Sequence, residues 1–398
     1  MKRLNTSKST AVSVLGLGGL SIGTGEFAAM GLLPDLAEST HVSIPRAGAF
    51  ISAYALGVVI GSPVLAAWTA RMERRRLLMG LSLLLVVGNV LSALAPSFAV
   101  LLAARFIAGV PHGVYYGTAS MVAASQVPPA QRTRAIGQVM LGLAAANVVG
   151  VPLMAFVGQA LGWRVAFLFL AGLSLVVALL LPLAVPRVDA PTGASPRGDL
   201  QALLRPRVWL TLATATVGFG GMFSVYSYIT PTLTEATGQP LSRVPWFLAA
   251  WGLGMVVGNV VGGRLADRAQ TATIIGTLLW NVVCLGAFAV STSSAAWMFT
   301  VLFLLGIGFA LVPALQARLM DIAADAQSLA GSLNHSAFNL ANAIGAWAGG
   351  LAIAAGLPWA STGAVGAALA FGGLVVFVST VALRPLSISS THPERKYS

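Results

Sequence analysis

Apolar runs long enough to cross a bilayer recur along almost the whole chain, and they leave very few ways for it to fold. They cover about residues 11–36, 47–69, 77–95, 98–124, 134–160 and 164–185, then 208–232, 245–266, 272–291, 295–317, 329–356 and 359–383. A helix of about 20 apolar residues, rising 1.5 Å per residue, crosses the roughly 30 Å hydrocarbon core. In hydrocarbon every backbone N–H and C=O needs an internal partner, so only helices and closed barrels can span. The runs therefore predict an all-α membrane protein of twelve transmembrane helices. Only 9% of the residues are charged, where a soluble domain carries about 25%. The start, Lys2, Arg3 and Lys8 before an apolar run, has the look of a signal peptide. That run is too long for one and many more follow, so it reads as the first span.

A net charge of +12 would suit a nucleic-acid binder, but the placement of the basic residues excludes this. Nineteen of the 23 fall in one set of gaps and termini, among them Arg71, Arg74, Arg75, Arg76, Arg132, Arg134, Arg264, Arg268 and Arg318. The opposite gaps hold three, Arg46, Arg164 and Arg243, and Arg105 lies within a span. Such asymmetry orients a membrane protein, and it predicts both termini and the 186–207 loop on the cytoplasmic side. Cys284 is the one cysteine, so no intrachain disulfide can form.

The chain also repeats itself. Pro34, Leu36, Glu38 and Thr40 recur as Pro231, Leu233, Glu235 and Thr237, and Arg46, Phe50, Gly57, Gly61, Arg71 and Gly109 recur as Arg243, Phe247, Gly254, Gly258, Arg268 and Gly306, all at an offset of 197. Residues 186–207, rich in Pro, Gly and charge, read as a cytoplasmic linker between an N-terminal six-helix bundle, 1–185, and a C-terminal one, 208–398, with a short cytoplasmic tail. Two pseudo-symmetric six-helix bundles in parallel repeat are the layout of a secondary transporter, with its site between the halves near the midplane.

With these residues laid out, the chain resembles the major facilitator superfamily over essentially its whole length. It is most similar to the twelve-helix drug:proton antiporters, in the branch labelled sugar or arabinose efflux. Thr24-Gly25-Glu26-Phe27 through Gly31-Leu32-Leu33-Pro34 is similar to that branch's first-helix signature. The loop after the second span is similar to the family's gating motif, with Arg71, Arg74 and Arg75 in register, but Ala70 replaces its acid and Glu73 one of its glycines. The second half keeps Asp267-Arg268 there. Arg105-x-x-x-Gly109 and the stretch Gly142 to Gly158 resemble the fourth- and fifth-helix motifs. The resemblance implies an exporter in the inner membrane of a bacterium, driven by inward proton flow and working as a monomer. The missing acid at Ala70 bears on the first-half gating loop, where it normally pairs across helices.

Glu26 is the residue a structural span would not need, because a charge at membrane depth costs from about 3 to over 10 kcal/mol. It sits roughly 15 Å below the outer end of its helix, and Arg105 roughly 10 Å below the same face. Desolvation favours the protonated acid and a neighbouring Arg105 the charged one, so the pair could couple proton transfer to cargo, or else brace two helices. Arg105, Gly109, His112 and Tyr116 share one helix face. His112 could relay protons or donate to a carbonyl. His335, Asn339 and Asn342 form a polar stripe on the eleventh span, with Phe338 beside it and Asn147 at the matching place in the fifth. These line a cavity or bond helix to helix. Phe223, Tyr226 and Ser227 give the seventh span an aromatic wall. The expected coupling set is thus Glu26, Arg105 and His112. The expected cargo set is Tyr116, Asn147, Phe223, Tyr226, Ser227, His335, Phe338, Asn339 and Asn342. Trp246 and Trp251 read as interfacial anchors, and Asp35, at the outer mouth, as a solvated helix end or else a second proton site.

No phosphate-cradling Gly-rich loop followed by Lys and Ser or Thr is present, so ATP is not the energy source. No Cys/His cluster suggests a metal, and no cofactor is expected. The partners expected are a small-molecule cargo, protons and the lipid bilayer. An uncoupled facilitator is the alternative within transport. An intramembrane enzyme would show clustered acids, and a transporter-like sensor a soluble domain; neither feature appears in the sequence.

Overall fold

A computed structural model describes residues 8–69, 71–127, 132–188, 205–322 and 327–382. Ten helices each supply one span: α1 (Thr10–Gly31), α2 (Ile44–Ser62), α3 (Arg74–Leu94), α4 (Phe98–Ser125), α5 (Gly137–Leu161), α6 (Trp163–Ala184), α7 (Pro206–Tyr226), then α10 (Ala295–Ile322), α11 (Leu333–Ala354) and α12 (Ser361–Val381). The remaining one, Leu241–Ala289, has 49 residues, about 70 Å of helix, more than twice the hydrocarbon thickness. It breaks at Ala269, whose φ of −151° and ψ of 69° are not helical. Its two limbs, α8 before Ala269 and α9 after it, complete the twelve spans. Most of the expected linker 186–207, the tail and Ala70 lie outside the described residues.

The sequence repeat has a physical basis in helix crossings. A Cβ on Gly57 or Gly109 would strike the facing backbone at Phe106 or Tyr54, so α2 and α4 meet at backbone distance. The second half repeats the crossing 197 residues later, where Gly254 and Gly306 meet Phe303 and Trp251. The start of α4 and its counterpart α10 match as well: Ser97 caps one and Ser294 the other, each accepting from the backbone N–H three residues on. Both helices lose regularity at the same depth, α4 at Pro111 and α10 in the tight turn Gly308–Ala310. Proline lacks the N–H that would continue the ladder.

The halves touch at the end of the molecule away from the basic loops, here the distal end. Thr230 donates to the carbonyls of Met30 (3.3 Å) and Gly31 (3.1 Å), and Ser52 to that of Ala343 (3.3 Å). Gly252 of α8 lies directly on the backbone of Asn147 in α5. On the basic side, a groove of about 390 Å³ opens between α1 and α5.

Candidate functional site

Glu26 lies on α1 among glycines and alanines, only 5% exposed. Its Oε2 is 3.9 Å from Nδ1 of His112, which begins the α4 segment after Pro111. The same Nδ1 shares a 3.2 Å hydrogen bond with the hydroxyl of Tyr54 on α2. Tyr54 reaches this point because the Gly57–Gly109 crossing brings α2 onto α4.

Arg105 is wholly buried, about two turns earlier on α4. Its Nη2 donates to the carbonyl of Gly25 at 2.8 Å, and its guanidinium lies over the rings of Tyr54 (4.7 Å) and Phe167 (5.3 Å). Its Nε and Nη1 have no hydrogen-bond partner. The arginine is thus seated on the backbone beside Glu26 and over aromatic faces, without an ion pair to the carboxyl. Buried guanidinium nitrogens without partners are costly in a stable protein.

From His112 the cluster continues across the seam. Its ring lies 5.2 Å from that of Tyr116 and 6.0 Å from that of His335 on α11. Tyr116 and His335 stack at 5.4 Å with planes 4° apart, while the Tyr116 hydroxyl donates to Gly19 of α1. One face of the seam is therefore carboxyl, imidazole, phenol and imidazole in sequence, contributed by both halves.

The facing wall is aromatic. Phe27 of α1 stacks on Phe223 and meets Tyr226 edge-on, and Phe338 lies edge-on to Phe219. Asn342 is fully buried, with its amide beside the Glu26 carboxyl. Asn339 donates to the carbonyl of His335, leaving its oxygen unpaired. Asn147 sits on a π-helical turn of α5, Ala146–Gly150, donating to Leu143, and its oxygen is likewise unpaired. Such turns often occur at functional sites. The hydroxyl of Ser227 is buried without a partner.

Two aromatic residues here escaped the sequence reading. Tyr54 was not singled out, although it bonds His112. Trp251 was expected at the membrane interface; instead it is 1% exposed and stacked on Tyr226 at 4.6 Å, with Phe309 edge-on at 6.2 Å. The physical reason is the Gly254–Gly306 crossing, which draws that turn of α8 into the bundle. Trp246, one and a half turns earlier, is 71% exposed.

The residues expected to gate lie at the basic end. Glu73, which replaces a family glycine, caps α3 by accepting from the N–H groups of Arg75 (2.8 Å) and Arg76 (3.3 Å). It also accepts from Val188 (3.4 Å), beyond the end of α6. Burial works against its charge, but these N–H groups and the Arg75 guanidinium hold its carboxyl below the usual range. Arg75 donates to the carbonyls of Pro182 and Val185, and the backbone N–H of Arg74 to Val188. Arg71 is exposed in the turn before α3, and Asp267 and Arg268 are exposed just before the Ala269 break. Asp35 is half-buried at the distal mouth; burial and the nearby Glu38 push its carboxyl up, with its own backbone N–H opposing. Among the described residues, no group of three or more His, Cys, Asp or Glu is placed to hold a metal ion.

Comparison with known proteins gives this geometry a context. The family described as Major Facilitator Superfamily matches residues 15–323 and 212–396. The chain is 39% identical over 374 residues to the inner membrane transport protein YdhP of Escherichia coli, covering 92% of this chain and 94% of the relative. It is 33% identical to a chloramphenicol resistance protein of Streptomyces lividans, covering 91% and 92%. The crystal structure of a bacterial homolog of the human lysosomal transporter Spinster, in an inward-facing and unoccupied conformation, superposes with a TM-score of 0.69 at 18% identity, covering 94% of each chain. Fold, seam and relatives together make this integral membrane chain a transporter, not an enzyme, and a member of the Major Facilitator Superfamily.

Proposed function

We propose that the protein exports small organic molecules across a bacterial inner membrane in exchange for protons, by alternating access between its two halves. The observation that carries this reading is the Glu26–His112 contact of 3.9 Å, buried at the seam and spanned by groups from both halves. A carboxyl in such a place has two affordable states: protonated, or charged beside a partner. The orphan Nε and Nη1 of Arg105 offer a second seat for the charged form. Movement of Glu26 between His112 and Arg105 would then tie its proton to the conformation of the bundle. The basic-residue asymmetry supports a cytoplasmic position for both termini and the 186–207 linker, and with that orientation the contacts at Thr230 and Ser52 close the outer mouth.

Relatives named for inner-membrane transport and for chloramphenicol resistance support export of small organic cargo. The test is an efflux screen in proteoliposomes with an imposed pH gradient. Uphill transport should collapse with a protonophore and in Glu26→Gln. Undiminished uphill transport in either condition overturns the coupling.

A further inference from the structure

The second half holds an uncharged aromatic slot at the positions where the first half carries its charged cluster. At the 197 offset, Phe223 replaces Glu26, Trp251 replaces Tyr54, Leu302 replaces Arg105 and Phe309 replaces His112. Trp251 and Tyr226 stack at 4.6 Å with planes 24° apart. Phe27, from the other half, completes the assembly, stacked on Phe223 at 6.2 Å and edge-on to Tyr226 at 5.7 Å.

Polar atoms in this slot are buried and unsatisfied. Nε1 of Trp251 and the hydroxyl of Tyr226 have no hydrogen-bond partner, although both residues are 1% exposed. Buried donors and acceptors nearly always find partners, and two orphans on one stacked pair of rings point to a ligand that supplies them.

We infer that Trp251 and Tyr226, with Phe27 and Phe223, form the cargo-recognition slot, and that the cargo is a molecule with a flat ring bearing hydrogen-bonding groups. Phe27 and its ring partners belong to opposite halves, so rocking separates them. The cargo ring then takes the place of Phe27 against Tyr226, and the indole N–H and the phenol read its polar edge. The inference rests on the exporter reading above, but concerns binding alone.

Equilibrium binding to the purified full chain in detergent, with no gradient, separates the two. The probes are 4-nitrophenyl β-D-glucoside and adenosine, each titrated beside its ring-free counterpart, methyl β-D-glucoside and ribose. At least one flat probe should bind about tenfold or more tightly than its counterpart, the scale expected of aromatic stacking. That advantage should vanish in Trp251→Leu, survive in part in Trp251→Phe, which keeps a ring but loses the N–H, and be unchanged in the lipid-side control Trp246→Leu. Size-exclusion and thermal unfolding profiles identify any variant that fails to fold, in which case Trp251→Phe and Tyr226→Phe carry the test. Equal binding of flat and ring-free probes, no binding of any probe, or an advantage retained without Trp251 overturns the slot. None of these outcomes depends on whether Glu26 couples to protons.

Discussion

Nδ1 of His112 serves two neighbours at once, standing 3.2 Å from the Tyr54 hydroxyl and 3.9 Å from the Glu26 carboxyl. Tyr54 thereby sets the ring that faces the acid. Tyr54→Phe removes this bond while keeping the ring beneath the Arg105 guanidinium. The expected result is a shifted pH profile of transport in proteoliposomes with little loss of thermal stability, about 1 kcal/mol for one hydrogen bond. An unchanged profile would assign Tyr54 to packing alone.

The glycine crossings of α2 with α4 and α8 with α10 should respond alike to the same change. Gly57→Ala and Gly254→Ala each place a methyl group against backbone that cannot yield, and overpacking of this kind costs about 1–3 kcal/mol. Gly263 has open space around its Cα, so Gly263→Ala serves as the control. Unfolding in detergent should show both crossing variants losing stability and the control unaffected. A tolerant Gly254→Ala would mean the repeat is not mirrored in packing.

Glu73 gives a pH dependence with a definite sign. Its carboxyl is held low in the folded protein, so its contribution is present above the ordinary carboxylate range and is lost as pH falls through the lowered value. Glu73→Gln should be less stable at neutral pH by about 1 kcal/mol, the usual size of a helix cap. The difference from the parent should shrink on acidification. A gap that stays constant with pH would show that charge is irrelevant there.

Thr230 bridges the halves by donating to Met30 and Gly31. Thr230→Val should loosen the distal contact by about 1 kcal/mol, equivalent to about a fivefold increase in the open population. A cysteine introduced by Met30→Cys, with Cys284 buried elsewhere, reads this as faster labelling by a membrane-impermeant maleimide. Labelling at the parental rate would show that the latch lies elsewhere.

Much of the fold was legible because hydrocarbon leaves so little choice: each apolar run had to be a helix. The join between α8 and α9 was legible only as two runs, since nothing in Asp267-Arg268-Ala269 announces that the chain turns at one residue. The acidic and cationic members of the seam stood out by their cost at depth. Tyr54 and Trp251 did not, because an aromatic residue in an apolar run looks the same whether it meets lipid or a neighbouring helix. The repeat held the missing signal, for the 197 offset pairs Tyr54 with Trp251 and His112 with Phe309. Glu73 looked like a lost glycine, since its partner Val188 is 115 residues away.

The Ala269 joint has a mechanical consequence. With no loop between α8 and α9, a tilt of one limb is handed to the other through the torsions of a single residue, as the arms of a bell-crank share one pivot. A few glycines and serines inserted after Ala269 would cut that linkage while leaving both limbs able to cross the bilayer. Export would then slow even though the cargo still found its seat.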